Sequence, residues 1–317
     1  MNILITRHDK IGDFITALPL AKVLKEQTNY RIIFLLSKIN EPLAKHLPFI
    51  DDIIVYTQDT KELVKRIKSK QIDLSISCYI DNHLGISLVL AGIKTRIAPA
   101  TKLAQIFFNK TLKQNRSKVE KTEWQYNIDL LTKLDKNLDL SYTPPILNLN
   151  SQFSNFNSQF IIFHPGFGGS SDGNLTYEDY WKLIVEAKKY CEVYITFGPD
   201  DKEAKNFFKE KIKKISILNS QFSIKIRDDF SDIWEFTKFI ALSKLFISTS
   251  TGPMHLAGLT NTKTLSFFGD NLFASSKRWA TVSDEEKQNN FEIPLNYTKE
   301  FYGKIERRLV EIISNEI

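Results

Sequence analysis

Hydrophobic and polar positions alternate between two periods along the chain. Residues 2–6 (NILIT) form a short apolar run that reads as a buried strand. A polar turn, 7–12, follows, and then Phe14, Leu18, Ala21 and Leu24 recur at helical spacing. The pattern repeats, with strand-like runs at 31–36, 53–56 and 73–78 and helical stretches near 40–46, 60–70 and 82–91. Strands alternating with helices predict a parallel sheet covered on both faces. The rhythm breaks at Pro144-Pro145 and at an Asn/Ser/Gln/Phe tract, which marks a linker at 148–159. A second alternation starts at 160–163, with further strands expected at 193–197, 245–248 and 263–267. Its helices are expected around Tyr177–Val185 and near 202–212, 232–242 and 253–259. A last stretch, 298–313, sets Phe301, Ile305, Leu309, Ile312 and Ile313 on one face, as in a closing helix. Two doubly wound α/β units are therefore expected, with ligands outside the carboxyl ends of their strands.

Composition narrows this picture. With 317 residues, 42% hydrophobic and 25% charged, the chain reads as two globular domains at roughly 150 residues each. Its longest uncharged apolar stretch, 84–93, is about half of the ~20 residues a membrane span needs. The start of the chain lacks a secretory pattern, and two cysteines cannot build a disulfide framework, so a cytoplasmic location is expected. The net charge of +6 is unevenly spread. Residues 1–150 hold 22 Lys and Arg against 15 Asp and Glu, whereas 151–317 hold 21 against 22. The excess concentrates in 94–121, where Lys94, Arg96, Lys102, Lys110, Lys113, Arg116, Lys118 and Lys121 face only Glu120. That window is either a solvated basic loop or a surface for an anionic partner, such as an acceptor headgroup or a bilayer. No nucleic-acid motif accompanies it, so nucleic acid is not expected as a partner.

Three loops carry the candidate chemistry. In the first, Thr6-Arg-His-Asp-Lys-Ile-Gly-Asp13, Asp13 falls at a helix start. It can cap that helix, or it can act as a general base with Arg7, His8 and Lys10 orienting anionic groups. The second, His164-Pro-Gly-Phe-Gly-Gly-Ser-Ser-Asp-Gly-Asn174, offers backbone donors and the hydroxyls of Ser170 and Ser171 to a phosphate. It is not a Walker loop, and it fits a flexible turn or a dehydrogenase-type nucleotide site as well. The third, Ile247-Ser-Thr-Ser-Thr-Gly-Pro-Met-His255, ends a strand in hydroxyls and opens a helix. Thr249, Ser250 and Thr251, the close approach at Gly252 and a donor at His255 describe an anion site without a metal. Asp-x-Asp, His-x-x-x-His and Cys-x-x-Cys are all absent from the sequence, so no metal and no cofactor are expected.

At these loops the chain resembles glycosyltransferase family 9, the lipopolysaccharide heptosyltransferase family. The matching pieces are Arg7…Asp9-Lys-Ile-Gly-Asp13 with Pro19, His164-Pro-Gly…Gly-Gly-Ser-Ser, and Ser250-Thr-Gly-Pro-Met-His-Leu-Ala257 running on to Phe268-Gly269. The resemblance implies a GT-B architecture of two facing Rossmann-like doubly wound domains. An acceptor domain would span 1–147 and a nucleotide-sugar domain 160–297. A C-terminal crossing helix, 298–317, would pack back toward the first domain. It further implies inverting, metal-independent transfer of heptose or a related sugar from a nucleoside diphosphate sugar, ADP-linked, to a lipopolysaccharide core or other cell-envelope glycan. Asp13 matches the family's base, and Thr251, Gly252 and His255 match its diphosphate-holding stretch. With the loops, the expected donor set is Ser170, Ser171, Thr249, Ser250, Thr251, Gly252 and His255. The expected acceptor set is Arg7, His8, Lys10, Lys102, Lys110, Lys113 and Arg116. Two departures stand out: Ser250 replaces the family's usual Asp, and 172–176 lacks its loop lysine. They fit a different donor sugar or a chain that binds without transferring. A monomer at the inner face of the cytoplasmic membrane, serving an anionic glycolipid or oligosaccharide, completes the expectation.

Overall fold

Strand β1 (Asn2–Arg7) buries every residue after Asn2 and forms the centre of the first sheet. In this computed structural model, residues 1–149, 159–166, 173–215 and 223–316 are described. Two units divide between Ile146 and Leu147. The first contains β1, β2 (Arg31–Leu36), β3 (Asp52–Val55), β4 (Leu74–Ser77), β5 (Thr95–Pro99) and β6 (Lys110–Leu112). All pairings are parallel, in the order β3-β2-β1-β4-β5-β6. Helices α1 (Ile11–Gln27), α2 (Glu41–Ala44), α3 (Thr60–Lys68), α4 (Asn82–Leu90) and α5 (Glu123–Asp129) complete the unit. Asp59, Asp81 and Thr122 cap α3, α4 and α5 by accepting a first-turn amide.

The second unit repeats the winding. Its strands are β7 (Phe160–His164), β8 (Glu192–Ile195), β9 (Ile224–Ile226), β10 (Leu245–Thr249), β11 (Thr264–Gly269) and β12 (Gln288–Ile293), ordered β12-β11-β10-β7-β8-β9. Counted from its own first strand, this is the order of the first sheet. Each unit therefore has a switch point beyond the carboxyl ends of its first and fourth strands, β1/β4 and β7/β10, where a doubly wound fold binds ligands. The helices are α6 (Tyr177–Ala187), α7 (Lys202–Ile215), α8 (Ile233–Ala241), α9 (Gly252–Leu259), α10 (Ser276–Trp279) and α11 (Lys299–Glu316). The face of α11 read from the sequence is buried: Ile305, Leu309, Ile312 and Ile313 join the second unit's core beside Leu183 and Val193. Full burial of such side chains stabilises by ~1.5–3 kcal/mol each. Lys263 pairs with Glu316 at the helix end. Most of the expected linker, 150–158, lies outside the described residues.

Four strands have no counterpart in the hydrophobic pattern: β5, β6, β9 and β12. Three of them are sheet edges, where little apolar surface is buried. β12 (QNNFEI) fully buries only Asn289 and Ile293. β5 lies in the basic window and is masked by it. After β5 a 3₁₀ turn, Leu103–Phe107, packs on α4. Gly85 makes that possible, because a Cβ there would come within 2.7 Å of the Phe107 ring.

Candidate active site

In the first unit the chain leaves β1 through Arg7, which is buried and bonded three ways. Its Nε donates to Asp9 Oδ1 at 2.8 Å, its Nη1 to the Cys78 carbonyl at 3.2 Å, and its Nη2 to Asp13. Burial alone would lower the Arg7 pKa, but Asp13 and Asp9 more than offset it, so the guanidinium stays charged. Burial raises the Asp9 carboxyl in spite of Arg7. Asp13 sits in the first turn of α1, where no side chain caps the N-terminus. Its carboxylate pairs with Arg7 and remains 17% exposed. Thr16 Oγ1 donates to the Asp13 carbonyl at 2.7 Å and fixes this turn.

His8 faces the neighbouring loop. Its Nε2 lies 2.9 Å from Asp81 Oδ2, and its ring stacks on Tyr56 with centroids 4.1 Å apart. Burial would raise Asp81, but His8 and the Leu84 amide hold it below the ordinary carboxylate range. Burial pushes the Tyr56 hydroxyl up to about 12, so it remains a donor at neutral pH. Tyr79 stands edge-on to His8 and carries Lys102 Nζ over its ring at 4.1 Å.

The expected acceptor residues separate. Arg7, His8 and Lys102 gather around the β1/β4 switch point. Arg116 is committed elsewhere: Nη1 pairs with buried Glu123 Oε2 at 2.9 Å, and Nε and Nη2 donate to Gln114 Oε1. It acts as a brace between the segment after β6 and α5. Lys10, Lys110 and Lys113 are exposed and form no ion pair among the described residues.

The second unit builds its switch point from hydroxyls and backbone. Thr249 is fully buried, and its Oγ1 lies 3.0 Å from the Gly173 carbonyl and 3.3 Å from that of Phe267. A single hydroxyl proton is thereby turned inward, tying the exit of the second loop to β11. Gly173 lies directly on the Phe268 carbonyl, with no room for a Cβ. Thr251 precedes α9 but donates to the Thr249 carbonyl at 3.3 Å instead of capping, so it leaves the first-turn amides to another acceptor. Ser250 is half-buried, its amide donating to the Phe267 carbonyl at 2.7 Å. His255 is buried in the first turn of α9, edge-on to Trp279. Ser170 and Ser171 lie outside the described residues. His164 Nδ1 meets Thr196 Oγ1 at 2.9 Å, and burial depresses its pKa to about 4 against the pull of Asp201, so it is neutral at pH 7. Among the described residues no three His, Cys, Asp or Glu side chains converge to hold a metal ion.

A Haemophilus influenzae protein named "Putative glycosyltransferase" is 32% identical to the chain over 98% of its length and 93% of that relative's. The chain belongs to a family of glycosyltransferases. Among solved structures, E. coli ADP-heptose lps heptosyltransferase II matches this glycosyltransferase with a TM-score of 0.79 at 17% identity, covering 100% of the chain and 99% of the other. The glycosyl transferase family 9 structure from Veillonella parvula matches with a TM-score of 0.78 at 14% identity, covering 99% and 96%. These likenesses show the fold: two Rossmann-like parallel sheets with helices, of the GT-B type. No protein-family model matches the chain.

Beside β1 and β7 the glycosyltransferase places several side chains that the loop reading missed. Tyr79 and Asp81 follow β4, and Thr196 and Asp201 follow β8. The available signal was the strand order itself, which sets the loops after β4 and β2 on either side of β1's outgoing turn: Asp81 meets His8, and Ser37 Oγ donates to the Asp9 carbonyl. Asp9 lies within the first loop, and its part emerges only from the position of Arg7.

Proposed function

We propose that this glycosyltransferase performs an inverting, metal-independent transfer of a sugar from a nucleoside diphosphate sugar to a cell-envelope glycan. The observation that carries the reading is Asp13, held by a buried arginine at the mouth of β1 and still partly exposed. Its carboxylate takes the proton of the acceptor hydroxyl as that oxygen bonds to the anomeric carbon. The bond to the diphosphate breaks on the opposite face, and the negative charge passes to the leaving group. On the second unit, the amides at the start of α9, with Thr251, Gly252 and His255, receive that charge, and Ser170 and Ser171 belong to the same donor set. Preorganised donors of this kind perform the electrostatic work a metal does elsewhere. Thr249 serves by locking the loops, through Gly173.

An ADP-linked heptose and a lipopolysaccharide core acceptor are favoured by the E. coli neighbour, whose description names ADP-heptose and lps. Ser250 favours a sugar with less demand for a carboxylate grip, so a related sugar is the second reading. Lys102, with Lys110 and Lys113, would draw an anionic glycolipid acceptor, and with it the inner face of the cytoplasmic membrane.

Asp13→Asn is expected to lower the transfer rate by ~10²–10⁴ while donor binding, followed by thermal shift, is kept. A panel of ADP-, UDP-, GDP- and CMP-sugars identifies the donor. Wild-type turnover by Asp13→Asn would overturn the assignment of the base.

A further inference from the structure

The first unit carries apolar surface that its own core does not use. On α4, Ile86, Val89 and Leu90 share one face and are between 40 and 54% exposed. On the adjoining 3₁₀ turn, Leu103 is 85% and Ile106 77% exposed. A 3₁₀ helix has three residues per turn, so these two stand in line as a ridge, while Ala104 and Phe107 face α4. Phe107 packs directly against Gly85, which brings the ridge close to the exposed face of α4.

The setting of this surface selects its partner. Residues 82–119 contain no Asp or Glu at all. Lys94, Lys102 and Lys110 are exposed around it and form no ion pair among the described residues. Arg96, by contrast, is turned inward, donating to the Phe107 carbonyl at 2.6 Å. Apolar tips flanked by lysines that have long aliphatic stems and no acidic partner are the chemistry of an interfacial membrane contact.

We propose that the Leu103–Ile106 ridge and the outer face of α4 insert shallowly into an anionic lipid surface, with the surrounding lysines at the headgroups. This extends the membrane reading of the basic window, adding an apolar anchor that salt does not screen. It also gives the exposed leucine and isoleucine a function that a purely electrostatic contact does not.

The test is sedimentation of the full chain with vesicles of phosphatidylcholine alone or mixed with phosphatidylglycerol, at low and high salt. Wild-type protein should partition onto the mixed vesicles and retain part of that binding at high salt. The Leu103→Ser/Ile106→Ser variant, altered only at exposed positions, should melt as wild type and lose at least about tenfold of the salt-resistant partitioning. Equal partitioning of the two proteins at high salt would overturn the insertion. So would a change from dimer to monomer in the variant by light scattering, because the ridge would then seat a second copy. Failure of the sugar-transfer reading is scored separately, since Asp13→Asn leaves vesicle binding unaltered and the ridge variant leaves donor binding unaltered.

Discussion

The two units wind their sheets in the same order and place their loops at the same kind of switch point, yet they manage charge in opposite ways. In the first unit the mouth of β1 holds a formal charge at almost every position: Arg7 with Asp9 and Asp13, and Asp81 beside His8. In the second, the equivalent mouth is built from Thr249, Thr251, a neutral His164 and helix-end amides. A sheet's strand order sets where a ligand sits and leaves open how its charge is met. A site that must move a proton needs ionisable groups held in a defined state, which the buried guanidinium provides. A site that must accept charge from a leaving diphosphate can use fixed dipoles, and these need no counter-charge when empty.

That contrast can be broken most strongly at Arg7. Arg7→Met leaves Asp9 and Asp13 as neighbouring carboxylates with no cation, and should destabilise the protein by ~3–5 kcal/mol in chemical denaturation at pH 7. The loss should shrink at acidic pH as Asp9, whose carboxyl burial already raises, takes up a proton. Neutralising exposed, unpaired Lys110 should change stability by no more than ~0.5 kcal/mol, which separates a buried network from a surface charge.

The next largest effect lies in the second unit. His164 has a folded pKa depressed from 6.5 to about 4, so folding favours its neutral form. Its contribution is complete above the unfolded value and is lost as pH falls from 6.5 toward 4, about 3 kcal/mol in all. Asp81 has the same sense in a lower window: held below 3.8, it keeps its contribution down to that value and gives it up only at lower pH. A pH series of urea melts on wild type and His164→Asn should therefore differ in slope between pH 6.5 and 4. Parallel curves would remove His164 from this account.

The smallest effect sharpens the hydroxyl side. Thr249→Val keeps the shape of the residue but removes its inward hydrogen bond, and should cost about 1 kcal/mol in the same melts. An unchanged midpoint would mean that the Gly173 exit is held by its close backbone approach to Phe268 alone.

Much of this arrangement was legible in the sequence. Central strands such as β1 and β10 are buried on both faces under helices or loops, and their apolar stretches, 3–5 and 245–247, leave an unmistakable run. The first and third loops were found because a turn between strand and helix has to spend glycine, proline and hydroxyl residues. Partnerships were not legible. Arg7 reaches the Cys78 carbonyl only because β1 pairs with β4, with Thr6 opposite Ser77, and chain order does not reveal that neighbour. Arg116 belongs to the acceptor set by sequence, whereas its buried partner Glu123 commits it to bracing α5. Thr249 looked like a ligand-facing hydroxyl, but the residue closes a backbone gap. Composition records that a charge or hydroxyl is present, whereas packing decides whether it is available.

The cysteines offer a different kind of consequence. Cys78 and Cys191 are free and buried, and burial pushes each thiol up to about 12. Thiolate is the reactive form, so neither should alkylate at neutral pH while the protein is folded. The chain is in effect a silent background for thiol chemistry. A single cysteine substituted for Leu103 would then be the one site that takes a polarity-sensitive dye, and its emission would report directly whether that side chain leaves water.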